Sequence, residues 1–270
     1  MASWAKFAAM NSPVLDLERL VVAAFEVARG AGRVVMKKRN ESLHIRGKQD
    51  GSPATAADHA SEEYITAELQ KIAPHVPVVA EEAVSEGRIP ELGDGPFWLV
   101  DPLDGTKDFI AGESEFAINI ALVIGAVPVI GVIHAPALED TFVGAAGQGA
   151  SRVRGHTAED ISARAPQQDG LVVLSSRRHG NEPELAAYLS GIKVIRHKRA
   201  SSALKFGLLA SGEADIYPRF GRAMGWDVAA GHAIICAAGG RITTADGHPI
   251  IYRTQHFDIP SFIARGRLNG

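Results

Sequence analysis

Cysteine and long apolar runs are both scarce in this sequence. The 270-residue chain has one cysteine, Cys236, so a disulfide within the chain and a thiolate metal cluster are both excluded. Cys236 lies in the apolar run HAIICAAGG and is predicted to act as a small buried hydrophobe. The first apolar run is too short for a signal-peptide core, and no segment reaches about 18 uncharged apolar residues. We expect a cytoplasmic enzyme or binding protein with no transmembrane segment, and leave peripheral association with the inner membrane open.

The chain also has no surplus of positive charge. Its formal net charge is -3 and its pI is about 6.4, so any anionic substrate must be attracted by local charges. The basic residues are dispersed and only 6% of residues are aromatic, which argues against a nucleic-acid interface. An apolar fraction of 46% with 22% charged residues is typical of a globular protein.

Hydrophobic periodicity divides the chain into two halves. Helical spacing over Leu15–Lys38 and Asp58–Ile72, followed by an antiparallel meander between Phe116 and Val153, predicts an α+β half. After the polar stretch Gly155–Gly170, strands and helices alternate, which is typical of an α/β unit. We predict two subdomains, residues 1–155 and 156–270, with a cleft between them.

Acidic residues follow two apolar strands and begin one helix. Asp101 and Asp104 end the apolar run in FWLVDPLDGTKDFI, Glu81 and Glu82 follow VPVVA, and Asp227 precedes the helical run VAAGHAIICAAGG. Sites in α/β proteins form at such strand ends and helix starts, so these acids could converge. Two carboxylates 4 Å apart repel by roughly 4 kcal/mol at an effective dielectric near 20, so a cluster needs raised pKa values or bound cations. Carboxylates without nearby Cys or His favour Mg²⁺ or Mn²⁺ over zinc.

The turn between the two aspartates and the next helix suits a phosphate ester. Pro102 fixes its own φ, which helps Leu103 to present its carbonyl beside the aspartates. Gly105 permits a positive φ and close backbone approach, and TKDFI can begin a helix whose N–H groups face a phosphate. Asp, Pro and Gly also build ordinary turns, so the segment alone is ambiguous.

Single residues of this set have simpler interpretations. Asp58 and Asp227 could each cap a helix, and Glu82 could be a solvated neighbour of Glu81.

Four segments together resemble one family. PATAAD (Pro53–Asp58), VVAEEAVSEG (Val78–Gly87), WLVDPLDGTKDFI (Trp98–Ile110) and GWDVAAGHAIICAAGG (Gly225–Gly240) are similar to the inositol monophosphatase superfamily of Mg²⁺-dependent phosphatases. The resemblance runs from about Lys48 to Gly240. Within the superfamily, the sequence most resembles bacterial 3′(2′),5′-bisphosphate nucleotidases of the CysQ type. These enzymes convert adenosine 3′,5′-bisphosphate to AMP and phosphate.

The resemblance implies a layered α/β/α/β/α sugar-phosphatase fold, two or three Mg²⁺ ions and a role for each matching residue. The implied metal ligands, most of them in the first half, are Glu81, Asp101, the Leu103 carbonyl, Asp104 and Asp227. Asp58 and Thr106 are expected to hold and deprotonate the attacking water. The N–H groups of Gly105 and Thr106 would contact the phosphate.

Residues of the second half are expected to select the substrate. By the same resemblance, a nucleotide bisphosphate would be contacted by His179, Ser202, Lys205 and Arg219. Inositol phosphatases usually have a glutamate near the position of Arg219, and a guanidinium suits a second phosphate better. Relatives often have a serine where Ala203 stands, which puts the Ser202 contact in question.

Two alternatives stay open. One is an inositol or other sugar monophosphatase of the same fold, and the other is a non-catalytic nucleotide- or Mg²⁺-binding protein. Retention of both Asp58 and Thr106 argues against a binder, which needs no water-activating pair. A homodimer is possible.

Overall fold

The computed structural model describes residues 15–41, 45–47, 53–177 and 181–267, so the predicted substrate residue His179 lies outside the described residues. Two long helices begin at side-chain caps, α1 (Leu17–Arg39) at Asp16 and α2 (Ala56–Ile72) at Thr55. Each cap oxygen accepts a hydrogen bond from a backbone N–H of the first helical turn, which has no partner within the helix. Both helices were predicted from helical spacing.

The first half forms a seven-stranded sheet. Only the first pair of neighbours, β3 and β4, is parallel, and the rest are antiparallel and follow chain order, which confirms the predicted meander. Strands β1 (Ile45–Gly47) and β2 (Pro53–Thr55) form a separate ribbon. The strands of the sheet are β3 (Val78–Ala80), β4 (Phe97–Asp104), β5 (Ala117–Ile124), β6 (Val127–Ala135), β7 (Asp140–Ala145), β8 (Gly149–Arg154) and β9 (Thr157–Ile161).

Strand β9 lies beyond residue 155, where the sequence predicts the end of the first subdomain. It pairs along its whole length with β8, so this sheet extends to Ile161. The division into two subdomains itself stays a prediction.

The second half forms a five-stranded sheet in the order β11-β10-β12-β16-β14. Strand β10 is parallel to β11 and β12, whereas β16 runs antiparallel to β12 and β14. The strands are β10 (Leu171–Ser176), β11 (Val194–Ala200), β12 (Ile216–Arg219), β14 (Arg241–Thr244) and β16 (Phe262–Arg265), with a separate pair β13 (Ala223–Met224) and β15 (Asp258–Ile259).

Five shorter α-helices and one 3-10 helix (Pro136–Leu138) complete the described fold. Two of them, α3 (Glu81–Ser85) and α4 (Thr106–Ile110), follow strands of the first sheet directly. The second half contributes α5 (Glu182–Leu189), α6 (Leu204–Ala210) and α7 (Gly225–Ala237).

Helices and sheets stack in five layers. Helices α1 and α2 pack on one face of the first sheet, and α7 packs on its other face. Helix α6 packs beside α7 and against the second sheet, so both helices lie between the sheets. Tyr188 and Leu189 of α5 pack on Val173, Ile216 and Ile263 of the second sheet. This arrangement confirms the predicted α/β/α/β/α fold.

Small residues let α7 approach both neighbours closely. A Cβ added to Gly131 of β6 would lie 2.1 Å from the Ala230 carbonyl oxygen of α7, and one added to Gly231 would lie 2.2 Å from the Phe206 ring. Cys236, near the end of α7, is half-buried, whereas the sequence predicts a buried residue; desolvation of its thiol group raises the pKa of the thiol to about 12. None of the described helices has the length and apolar character that crossing a membrane requires.

Candidate active site and metal centre

The segment after β4 turns sharply because two positions permit it. Pairing between β4 and β5 is irregular between Asp101 and Asp104, and the Asp101 carboxylate accepts a hydrogen bond from the Leu103 N–H at 3.0 Å. Gly105 follows with φ +92°, in the left-handed region that glycine adopts readily. A Cβ at Gly105 would also lie 2.3 Å from the Ser202 hydroxyl. Glycine is therefore needed here both for its backbone conformation and for space.

Three acidic residues from three elements converge beside this turn. Glu81 at the start of α3, Asp101 in β4 and Asp227 in the first turn of α7 each offer a carboxylate oxygen, and these atoms lie within 4.8 Å of one another. The donor set contains carboxylates alone, which suits a hard divalent cation such as Mg²⁺. These residues therefore fit the metal site that the sequence predicts.

The charges at this cluster are unfavourable without a cation. Burial, together with the nearby charges of Asp104 and Glu81, raises the pKa of Asp227 to about 7. A bound cation would offset this repulsion and favour the ionised carboxylate. Asp227 also accepts a hydrogen bond from the Met224 N–H at 3.0 Å, so it stabilises the start of its helix as well.

Asp104, a predicted metal ligand, lies near the three-carboxylate cluster without being part of it. Its Oδ2 accepts a hydrogen bond from the Ala203 N–H at 2.6 Å and lies 3.5 Å from the Asn119 amide nitrogen. Burial raises the pKa of Asp104, and the Lys205 charge partly offsets this effect. Asn119 was not among the predicted site residues, although it is the one amide in the apolar strand AINIALVI and buried polar groups usually have a specific partner.

Asp58 and Thr106, the predicted water-activating pair, are in contact. The Thr106 hydroxyl lies 3.1 Å from Asp58 Oδ1 and 3.1 Å from the Leu103 carbonyl oxygen. Asp58 Oδ2 accepts hydrogen bonds from the Thr55 N–H at 2.8 Å and the Thr55 hydroxyl at 2.6 Å. Helix capping and contact with Thr106 are therefore compatible, since Asp58 uses a different oxygen for each.

The predicted substrate residues of the second half face the same cleft, which has a volume of about 770 Å³. Ser202 has φ +53°, and its hydroxyl lies 3.0 Å from the carbonyl oxygens of both Asp104 and Glu115. The Lys205 ammonium lies 2.5 Å from the Ser202 carbonyl oxygen and 3.2 Å from that of Ala200. Burial lowers the pKa of Lys205 to about 8, although Asp104 partly opposes this shift. The Ser202 hydroxyl therefore holds the connection between β11 and α6 against Asp104, and Lys205 stabilises that connection through two of its carbonyl oxygens.

Arg219 has hydrogen-bonding capacity left for an anion. Its buried Nε has no hydrogen-bond partner among the described residues, and its Nη2 lies 3.3 Å from the Arg222 carbonyl oxygen. Arg219 lines both the cleft and a neighbouring pocket of about 540 Å³ between α5 and the second sheet. A guanidinium in this position can bind a phosphate or a carboxylate.

One acidic residue near the site contradicts its sequence interpretation, and another had none. Glu82 is 1% exposed, so the interpretation of a solvated neighbour is wrong. Glu115 gave no periodic or motif signal. Its carboxylate accepts hydrogen bonds from the Arg177 guanidinium at 2.6 Å and from the Ser201 N–H at 2.7 Å. These contacts join the first half of the chain to the second.

Known proteins are similar to this chain in both sequence and fold. Residues 16–268 match the sequence profile of the inositol monophosphatase family. A 3′(2′),5′-bisphosphate nucleotidase CysQ from Buchnera aphidicola is 38% identical over 229 residues, which are 84% of this chain and 85% of the relative. The protein of the same name from Escherichia coli K12 is 37% identical over 84% of this chain and 91% of the relative. The crystal structure of CysQ from Bacteroides thetaiotaomicron, described as a bacterial member of the inositol monophosphatase family, has a TM-score of 0.79 at 32% identity and covers 94% of this chain and 99% of its own. The chain therefore belongs to the inositol monophosphatase family.

Proposed function

We propose that this protein is a Mg²⁺-dependent 3′(2′),5′-bisphosphate nucleotidase that hydrolyses the 3′-phosphate of adenosine 3′,5′-bisphosphate to AMP and phosphate. The observation that carries this proposal is the position of the Glu81, Asp101 and Asp227 carboxylates in the same cleft as Thr106. A purely binding protein would need a cation site alone, whereas this cleft also holds the Thr106 hydroxyl 3.1 Å from the Asp58 carboxylate. The names of the CysQ relatives support the choice of substrate.

Two or three Mg²⁺ ions are the proposed cofactor. The convergent carboxylates would hold them, with Asp104 and the Leu103 carbonyl as further ligands; the carbonyl has a second lone pair besides the one that faces the Thr106 hydroxyl. When bound, the ions supply a lowered pKa for the attacking water and neutralise charge on the phosphoryl and leaving oxygens.

Thr106 and Asp58 are the proposed catalytic pair. The Thr106 hydroxyl has one proton to donate, either to Asp58 Oδ1 or to the Leu103 carbonyl, and its lone pairs can then accept a hydrogen bond from water. This contact would orient the water toward phosphorus, and its proton would pass through the threonine to the Asp58 carboxylate. A bond would form between the water oxygen and phosphorus as the bond from phosphorus to the 3′ oxygen breaks, and the departing 3′ alkoxide would take a proton from solvent water to become the 3′ hydroxyl of AMP. The N–H groups of Gly105 and Thr106 would hold the phosphate during this step.

The second phosphate would bind on the C-terminal side of the cleft. The Arg219 guanidinium is the main proposed contact, because its buried Nε has no partner among the described residues. Lys205 and Ser202 line the same cleft and would add positive charge and a hydroxyl. His179 remains a predicted contact.

Phosphate release from three substrates tests this function. Adenosine 3′,5′-bisphosphate, inositol 1-phosphate and fructose 1,6-bisphosphate are compared with and without Mg²⁺, and we expect Mg²⁺-dependent turnover with the highest kcat/KM for the nucleotide. Preference for inositol 1-phosphate would replace this proposal with the inositol monophosphatase alternative. Absence of turnover with every substrate would favour the non-catalytic binder.

Two further properties stay predictions. Analytical ultracentrifugation decides whether the protein forms the homodimer that the sequence leaves open, and fractionation of cells that express the protein tests the predicted cytoplasmic location. Recovery with inner-membrane vesicles would instead indicate peripheral association.

A further inference from the structure

Helix α2 presents a row of buried polar side chains to the first sheet. Ser61 and Glu62 follow Asp58 by three and four residues, so both lie on the same face of the helix as Asp58. Asp58, Ser61 and Glu62 are 1%, 0% and 7% exposed, respectively. Polar groups on a buried helix face are costly unless specific partners satisfy them. Their partners therefore indicate what this face does.

Each partner belongs to a different segment of the candidate metal centre. Asp58 contacts Thr106 at the start of α4, as described above. The Ser61 hydroxyl donates a hydrogen bond at 2.8 Å to the Pro102 carbonyl oxygen, between the predicted ligands Asp101 and Leu103. Glu62 binds the segment that carries Glu81.

The Glu62 contact is bidentate. One carboxylate oxygen accepts from the Glu82 N–H at 2.7 Å and the other from the Ala83 N–H at 2.8 Å. These groups lie in the first turn of α3, and the residue before that helix, Ala80, makes no side-chain capping bond. N–H groups of a first turn have no acceptor within their own helix. Glu62 thus caps α3 from a different helix, and Glu81 is the first residue of the turn that it holds.

We propose that Ser61 and Glu62 are positioning residues for the metal centre. They fix the Glu81 segment and the Asp101 segment to one rigid helix, so that the two carboxylates stay within reach of one cation. This inference rests on the proposed function, because it takes Glu81 and Asp101 as metal ligands. Groups that orient metal ligands commonly change metal affinity or activity by about 10- to 100-fold when they are replaced.

Magnesium titration of the full chain by calorimetry, with the metal alone, tests the proposal at a temperature well below the melting temperature. Glu62→Gln removes one of the two acceptors, and we expect Mg²⁺ affinity to fall about tenfold or more. Glu62→Asp keeps the charge but withdraws the carboxylate by one methylene, and we expect a similar fall. Ser61→Ala changes no charge and should lower the affinity by a smaller factor. Glu63→Gln is the matched control, because Glu63 is exposed on the same helix and its replacement removes the same charge.

The outcomes separate positioning from charge and from general stability. A fall with Glu62→Gln but not with Glu62→Asp would overturn the proposal, since charge alone would then explain it. Variants that melt at a lower temperature yet bind Mg²⁺ like the wild type would also overturn it and leave Glu62 a structural cap. If the wild-type protein binds no Mg²⁺, the proposed metal centre itself is wrong, and this inference is rejected with it.

Discussion

Replacing the Arg219 guanidinium tests how the cleft selects its substrate. Arg219→Gln keeps a polar, unbranched side chain but removes the positive charge and the buried Nε, which has no partner among the described residues. In the proposed complex this guanidinium binds the second phosphate of the nucleotide and does not touch the phosphate that is hydrolysed. The substitution should therefore affect substrates with a second phosphate and spare those without one.

The expected size of this effect follows from the contact that is lost. A hydrogen bond to a charged group contributes about 1.5–3 kcal/mol. At 1.36 kcal/mol for each tenfold change in rate, removal of one such bond lowers kcat/KM by about 10- to 150-fold. Arg219 Nη2 lies 3.3 Å from the Arg222 carbonyl oxygen and the guanidinium also contacts the Tyr217 hydroxyl, but its Nε has no partner among the described residues and is left to bind a phosphate.

Two substrates that differ by one phosphate provide the assay. Adenosine 3′,5′-bisphosphate and adenosine 3′-monophosphate share the ester that is hydrolysed, and only the first carries the second phosphate. We expect the Arg219→Gln loss with the bisphosphate and less than a threefold change with the monophosphate. Equal losses on both substrates would refute the specificity role. Arg222→Gln is the control, because Arg222 lines the same cleft but is exposed and pairs with Asp258 at 3.2 Å.

Three further predictions concern the metal centre, acid stability and packing. Asp104→Asn should abolish phosphate release while circular dichroism and melting temperature stay close to wild type. Burial lowers the pKa of His232 from 6.5 to about 4, so the unfolded chain binds a proton that the folded chain does not as pH falls below 6.5. This linkage removes about 2 kcal/mol of stability between pH 7 and pH 5, and urea unfolding of His232→Asn should lack that part of the pH dependence. Gly131→Ala should lower the free energy of unfolding by about 1–3 kcal/mol or more in the same assay, because its Cβ would lie 2.1 Å from the backbone oxygen of Ala230.

Each of these predictions has a result that would contradict it. Activity retained by Asp104→Asn would mean that this carboxylate is not a metal ligand. An unchanged slope of stability against pH in His232→Asn would assign the acid sensitivity to other groups, of which His134 is the first candidate, since burial lowers its pKa to about 4 as well. Gly47→Ala is the control for Gly131→Ala, because a Cβ at Gly47 meets no described atom within 4 Å. A similar effect of both alanines would exclude the steric explanation.

Sequence patterns of a few residues predicted the helices and strands that form mainly through interactions between residues close in sequence. The helical spacing of α2 and the β-branched runs of β5 and β6 each occur within a few residues of sequence, so their elements could be predicted. Strand β9, by contrast, reads as a polar stretch, because four of its five residues are exposed at the edge of the sheet. Its extended conformation comes from pairing with β8, which hydrophobic periodicity does not report.

The same distinction applies to the site. Glu81, Asp101 and Asp227 follow or begin regular elements within recognisable motifs, so the sequence identified them before the structure joined them. Glu115 has partners 62 and 86 residues away, and no short-range pattern indicates such contacts. Glu62 was hidden for another reason, since one glutamate in a helix is usually a solvated charge.

Helix α7, which carries Asp227, lies between the two sheets, and this position limits which residues can be changed when the protein is redesigned. Its first turn supplies a carboxylate to the cleft, while the rest of the helix packs between the sheets through alanine, valine and isoleucine side chains. A larger side chain packed against α7 outside the cleft would shift the Asp227 carboxylate. Such a substitution could abolish activity although no residue that lines the cleft is replaced. Ser202, between β11 and α6, and Arg219, the last residue of β12, both line the cleft but lie outside α7, so altered substrate preference should be sought by mutagenesis there, with the central layer kept fixed.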